Sequence, residues 1–174
     1  MSTRYVGLLR GVNVGGKNKL PMAELRGLFH ELGHSKVSTF IQSGNVIFDA
    51  ESPPEARELE EAISNRFLMA IPVVLRSMVE LRRVVGANPF EGVDPDWVHV
   101  GFMAAEPPGD AQLDLHADRY LPERFELVGT ELYLCLPDGM GRAKLPQLLD
   151  RRLKTPTTYR NWRTVTKLVE LAAG

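Results

Sequence analysis

Lys36-Val-Ser-Thr-Phe-Ile-Gln-Ser-Gly-Asn-Val-Ile-Phe48 is the stretch whose reading decides the fold. Lys36–Ile41 and Asn45–Phe48 are both strand-like, and Gln42-Ser43-Gly44 between them is a short hairpin signal. Upstream, Met22, Leu25, Leu28, Phe29 and Leu32 recur at helical spacing between Pro21, a first-position proline, and Gly33, a stop. Before that helix, Thr3–Arg10 reads as a strand of aromatic and branched residues closed by glycine. Downstream, Pro54–Met69 carries Leu59, Ile63 and Phe67 on one side and glutamates on the other, and Pro72–Leu75 is a further strand. Two adjacent strands between two helices give β-α-β-β-α-β, the split βαβ order of ferredoxin-like folds.

The second half partly repeats that order. A helix at Met78–Val85 leads through Asn88-Pro89-Phe90 to a strand at Trp97–Met103, with a short helical or irregular segment near Ala111–Tyr120. Phe125–Val128 and Glu131–Leu136 form a hairpin turning at Gly129-Thr130, and helices at Lys144–Leu153 and Asn161–Ala172 follow. The expected architecture is α+β, a ferredoxin-like subdomain over 1–76 and an intertwined α+β subdomain over 77–174, packed as one unit. The duplication is visible in element order only, not in residues.

Composition narrows the class. Hydrophobic content of 44% and charged content of 25% are those of a globular protein. The lone cysteine, Cys135, excludes an internal disulfide framework, and its apolar run Glu131–Leu136 makes it a buried strand thiol. Only five apolar residues, Tyr5 to Leu9, precede Arg10, too few for a signal peptide, and no stretch has the length of a membrane span. A cytoplasmic protein without a membrane partner is expected.

The net charge of −1 hides an asymmetry: residues 1–20 and 141–174 together hold 12 bases and two acids. Folded side by side, the two ends would make one basic face; otherwise they are solvated helix faces.

Leu9-Arg-Gly-Val-Asn-Val-Gly-Gly-Lys-Asn18 follows the first strand. Gly11, Gly15 and Gly16 can turn backbone N–H groups into one space, and Arg10, Lys17 and Lys19 surround them with positive charge, the chemistry of an anion cradle. In a split βαβ unit the first two strands run parallel, so this loop and the Gln42–Asn45 hairpin share one sheet edge. Asn13, Gly15, Gly16, Lys17, Gln42, Ser43 and Asn45 would then converge. The alternative is a tight connection whose glycines serve backbone geometry alone.

Gly11 to Lys17 matches G-x-x-x-x-G-K, but Asn18 stands where the Mg²⁺-binding hydroxyl belongs, and the helix waits until Pro21. A P-loop nucleotidase is therefore set aside. His30-Glu-Leu-Gly-His34 matches the zinc signature H-E-x-x-H, yet Gly33 ends the helix and takes His34 off the face of His30. No metal and no cofactor is assigned.

In Thr155-Pro-Thr-Thr-Tyr-Arg-Asn-Trp-Arg-Thr-Val-Thr-Lys167, Asn161 caps the last helix and Trp162, Val165, Leu168 and Val169 form a burial stripe. Arg160, Arg163 and Lys167 fall on or near another face, where interleaved aromatic and basic residues suit phosphate contact and stacking. A tryptophan that only packs the helix is the competing role. Gly139-Met-Gly-Arg-Ala-Lys144 is a second glycine-basic turn, with Arg142 and Lys144 as candidate phosphate contacts. No acid–base constellation is readable; His99 and His116 stand alone, and catalytic residues are unassigned.

Leu8–Asn18, Phe40-Ile-Gln-Ser-Gly-Asn45, Asn88-Pro89-Phe90 and Arg160–Leu168 together resemble an uncharacterised bacterial family, a domain of unknown function with an LLRGINVGG amino-terminal signature. The resemblance implies two intertwined ferredoxin-like subdomains and names no activity. Where that family commonly has Gly-Arg-Ser-Lys-Leu this chain has Gly141-Arg-Ala-Lys-Leu145, so no hydroxyl is offered there. The histidine pair His30 and His34 is not part of the family's pattern.

Three functions remain on this reading. The first is a binding protein for a phosphorylated small molecule or nucleic acid, using Arg10, Asn13, Gly15, Gly16, Lys17, Gln42, Ser43, Asn45, Arg142, Lys144, Arg160, Asn161 and Lys167. The second is a small phosphate-handling transferase or hydrolase at the same edge. The third is a structural or protein-interaction module.

Overall fold

The computed structural model describes residues 1–109 and 120–173. The expected segment near Ala111–Tyr120 lies outside them except for Tyr120, as does His116. Among the described residues the fold is α+β, with two antiparallel four-stranded sheets and five α-helices.

The first sheet contains β1 (Thr3–Leu9), β2 (Ser35–Phe40), β3 (Asn45–Ala50) and β4 (Val73–Ser77) in the order β2-β3-β1-β4. Its helices are α1 (Met22–Glu31) and α2 (Ala56–Phe67). Both β1 and β2 run antiparallel to β3, so they are parallel to each other and end at one edge. That is the ferredoxin-like arrangement expected from the hairpin at 36–48.

α1 buries Met22, Leu25, Leu28 and Phe29 as one stripe, and Gly33 at φ +92° terminates the run, leaving Leu32 exposed beyond it. α2 buries Leu59 and Ile63 and ends where Leu68 turns left-handed at φ +57°. These side chains meet Leu9, Val46, Phe48 and Val73 of the sheet in one core, in which Phe29 and Phe48 pack edge to face at 5.0 Å. Complete burial of side chains such as Leu25 and Phe29 contributes about 1.5–3 kcal/mol each.

The second sheet contains β5 (Val98–Met103), β6 (Arg124–Val128), β7 (Glu131–Cys135) and β8 (Thr157–Asn161) in the order β6-β7-β5-β8. α3 (Met78–Gly86) precedes it, α4 (Leu145–Leu153) crosses from β7 to β8, and α5 (Trp162–Ala173) follows. Strand β8 is absent from the sequence reading, which takes Thr155–Lys167 only as a lead into a helix. With β8 in place the second sheet has the strand order of the first.

The register makes the duplication a matter of residues as well. Tyr5 and Ser77, Val6 and Arg76, and Gly7 and Leu75 are paired in the first sheet. His99 and Asn161, Val100 and Arg160, and Gly101 and Tyr159 are paired at the same steps of the second. The loops repeat too: Leu9 N–H donates to Gly44 O and Arg10 N–H to Pro72 O, while Met103 N–H donates to Thr130 O and Ala104 N–H to Pro156 O, all at 2.9–3.0 Å. Few identities survive, which is why the repeat escapes a reading of the letters.

Two compact units emerge, one comprising Met1–Arg83 and Lys167 onward, the other Val84–Thr166. A single break at 76/77 is expected from the sequence; these units are divided twice, once inside α3 and once inside α5.

Candidate functional site

The loop after β1 is a miniature hairpin. Lys17 N–H donates to Val14 O at 3.0 Å and Asn13 N–H to Asn18 O at 3.1 Å. Gly15 at φ +59° and Gly16 at φ +77° fill the two turn positions that demand positive φ. The amides of Asn13 and Lys17 are thus spent within the loop, and the expected cradle of converging N–H groups is reduced to the turn itself.

Asn13 is the keystone. Its Nδ2 donates to Leu20 O at 3.0 Å and to Gln42 O at 2.6 Å, while its Oδ1 accepts from Leu20 N–H at 2.8 Å. One side chain therefore closes its own loop and ties it to the β2–β3 hairpin. Its donors are spent, so Asn13 builds the site and offers no N–H to a ligand. Asn18 works the same way, giving Nδ2 to Gly11 O at 3.0 Å.

Asn45 has the same fate in the hairpin. It is fully buried, and its Nδ2 donates to Phe40 O at 2.9 Å and Ser43 Oγ at 3.2 Å. Gly44 brings the hairpin against the loop at φ +88°, where a Cβ would lie 2.7 Å from Val12 Cγ2 and 2.8 Å from Leu9 Cβ. Val12 is completely buried and anchors the loop from below.

Above these staples lies a groove of about 460 Å³ lined by Asn13, Gly16, Lys19, Leu20, Pro21 and Gln42. It opens at the start of α1, whose N-terminus has no side-chain cap. First-turn N–H groups and the helix dipole place partial positive charge there. Lys17 and Lys19 are exposed and make no ion pair among the described residues, and Arg10 is exposed on the same loop. No acid occurs before Glu24 or between Ser35 and Phe48. At the opposite end of the sheet Asp49 is held by Arg4 at 2.7 Å and Lys36 at 3.9 Å, so its negative charge is balanced there.

The remaining candidates are not among the residues that line this groove. Arg142, Lys144, Arg160 and Asn161 belong to the second unit, and Lys167 pairs with Glu170 at 3.2 Å. The turn at Gly139–Lys144 is an anion seat already filled by the chain: Glu123 accepts from Leu145 N–H at 3.0 Å and Lys144 N–H at 3.4 Å. Arg160 lies in a strand, not on a helix face. It is 8% exposed, and its Nη1 donates to Thr158 Oγ1 and Tyr159 O, both at 2.9 Å. Burial lowers its pKa to about 10. Asn161 caps α5 as expected, its Oδ1 accepting from Thr164 N–H at 2.8 Å.

His34 lies past the end of α1 with its ring 4.7 Å from that of Phe48, and burial lowers its pKa. Among the described residues no three His, Cys, Asp or Glu side chains are grouped to hold a metal ion. Cys135 is a buried strand thiol.

The sequence profile of a family described as a protein of unknown function, DUF1697, matches residues 2–133. The chain belongs to that family. A solved structure described as that of conserved bacterial protein SP0830 from Streptococcus pneumoniae is similar over 100% of both chains, with a TM-score of 0.73 and 24% identity. At that identity the likeness shows the fold alone. No curated protein matches the chain.

In this DUF1697 chain, then, the residues that carry the resemblance divide by role. Asn13, Gly44 and Asn45 hold loops together, while Gly16, Lys17 and Gln42 face outward. Sequence reasoning leaves aside one polar group that the structure singles out, His99, whose only signal is a histidine inside an apolar strand. Among the described residues no helix is long and apolar enough to cross a membrane.

Proposed function

We propose that the edge shared by the Gly11–Lys19 loop and the Gln42 hairpin binds an anionic ligand, a phosphorylated small molecule or a nucleic-acid backbone. The observation that carries this reading is the groove at the uncapped start of α1, walled by Lys19 and with no acidic residue in its lining, Glu24 in the first turn of α1 being the nearest acid in the chain. Lys17 and Lys19 supply mobile charge, and the turn at Gly15-Gly16 lets a ligand approach backbone closely. Asn13, Ser43 and Asn45 keep the two loops in register.

The test is fluorescence anisotropy with a labelled single-stranded oligonucleotide across a salt series, beside a thermal-shift screen of phosphorylated small molecules. Affinity should fall linearly with log salt, and Lys17→Ala with Lys19→Ala should lower the slope by about 2 for a polymer. Unchanged binding in that double variant would place the anion site elsewhere.

A second reading has one observation behind it. Val14 and Ile41 are 60% and 49% exposed on these same loops, and Ile41 holds φ +53°, an unusual conformation for a β-branched residue. A protein-contact surface would use these side chains and would bind with little dependence on salt.

A further inference from the structure

The link between α3 and β5 closes on itself. Asn88 Oδ1 accepts from Phe90 N–H at 2.9 Å, Val93 N–H donates to Phe90 O at 3.1 Å, and Trp97 N–H donates to Asp94 O at 2.9 Å. Gly92 at φ +88° supplies the sharp turn among them. Held at three points, this link walls a pocket of about 290 Å³ together with Val98, the first residue of β5, and Trp162, the first residue of α5. That volume is at the small end of the range for ligand sites.

The pocket joins two passages that carry the family resemblance and that the groove in the first unit leaves unused. Asn88-Pro89-Phe90 forms one side, and Trp162 of the Arg160–Leu168 passage stands on another. Phe90 and Val98 are buried, while Val93 and Trp162 are half-buried.

Glu91 is the one charged residue of the wall. It is exposed and makes no ion pair or hydrogen bond among the described residues. Little offsets its charge: residues 84–109 contain no lysine or arginine, and Asp94 and Asp96 follow Glu91 closely. Arg163, next to Trp162 in the chain, is paired with Asp96 at 2.8 Å. Arg124 lies over the Phe90 ring, 5.1 Å from its centroid, and is not part of the wall. It takes one face of Phe90, which leaves Trp162 as the ring to meet a ligand.

The residue types set the kind of cation. A metal ion needs several hard or soft ligand atoms, and among the described residues no three His, Cys, Asp or Glu side chains are grouped to hold one. One carboxylate beside an indole and two valines suits a nitrogen cation that carries its own carbon substituents. The ring face attracts the charge, and the apolar wall covers the carbons.

We propose that this pocket binds a compact organic ammonium ion, with Glu91 pairing to its charge and Trp162 packing over its carbon substituents. The proposal is independent of the anion groove in the first unit, and the ligand's charge is opposite in sign.

Trp97→Phe leaves Trp162 as the only tryptophan, so its fluorescence reports on the pocket. The full chain with that substitution is titrated at constant ionic strength with choline, n-butylammonium and N-acetyl-lysinamide. The uncharged choline isostere 3,3-dimethylbutan-1-ol is the control. At least one ammonium should change the emission saturably, the neutral alcohol should bind at least tenfold more weakly, and Glu91→Gln should weaken ammonium binding about tenfold. A response to choline or butylammonium alone marks a free small amine as the ligand, and one to N-acetyl-lysinamide alone marks a lysine side chain of another protein. If Trp97→Phe fails to fold, the emission of the natural chain, with and without the exposed Glu91→Gln change, still decides. Silence with all three ammonium probes overturns the proposal, as does an equal response to the neutral alcohol or unweakened binding in Glu91→Gln.

Discussion

Arg76 and Arg160 occupy the same position in the two sheets. Each is buried, each precedes the residue that caps the next helix, and each donates Nη1 to the carbonyl of the residue before it, at 2.8 Å for Leu75 O and 2.9 Å for Tyr159 O. Ser77 Oγ then accepts from Glu80 N–H as Asn161 Oδ1 accepts from Thr164 N–H. A buried guanidinium followed by a capped helix is therefore a repeated joint of this fold.

Replacing either arginine by methionine keeps most of the apolar stem and removes the hydrogen bonds. Arg160→Met and Arg76→Met should each cost about 1–3 kcal/mol, read from urea unfolding midpoints. A variant as stable as the parent would show that the guanidinium clamps nothing.

Gly44 and Gly11 both have positive φ, but only Gly44 lacks room for a side chain. Gly11→Ala should lose about 1 kcal/mol from backbone strain alone. Gly44→Ala must also displace Val12 or Leu9, and should lose about 1–3 kcal/mol beyond that. Equal losses in thermal unfolding would mean that the loop and the hairpin are not locked together.

Asn13→Ala removes three hydrogen bonds at once and strands Leu20 N–H, so a loss of about 2–3 kcal/mol is expected. Amide exchange should speed up in both the 11–20 loop and the 41–45 hairpin. Acceleration confined to the first loop would rule out the cross-link to Gln42.

The pH dependence follows from buried imidazoles. The folded-state pKa of His99 lies below the unfolded value of about 6.5, so the unfolded chain binds the proton first as pH falls. Stability should be flat above about pH 7, decline through about pH 6.5 and level off below the folded-state pKa. His34 acts in the same direction, with the nearby Glu58 charge opposing it. His99→Gln should flatten this limb in a series of urea titrations; an unchanged slope would show that His99 is not the group responsible.

Much of the fold is legible in the letters because hydrophobic period and turn residues carry it. The hairpin at 36–48 fixes the first sheet, and Pro21 and Gly33 bracket α1 closely. Strand β8 is not legible in the same way: Thr157-Thr-Tyr-Arg-Asn161 ends in two polar residues, one of them a buried arginine, and merges with a helix cap. The clue lies in Pro156, which stands before β8 as Pro72 stands before β4. Candidate sites are harder, since a sequence shows that Asn13, Asn45 and Lys144 are polar but not where their hydrogen bonds go. Glu123 makes the point, for it fills from 21 and 22 residues away a seat that the glycines and lysine advertise as empty.

The division of α3 and α5 between the two units bears on synthesis. The amino-terminal unit includes the chain from Lys167 onward, so its last piece leaves the ribosome only after all of Val84–Thr166 has been made. During translation the first sheet and its helices must wait, incomplete, for a segment that follows Thr166 in the chain. A nascent chain halted near Arg83 should therefore resist proteases less well than the released protein, and the two halves should mature together rather than in turn.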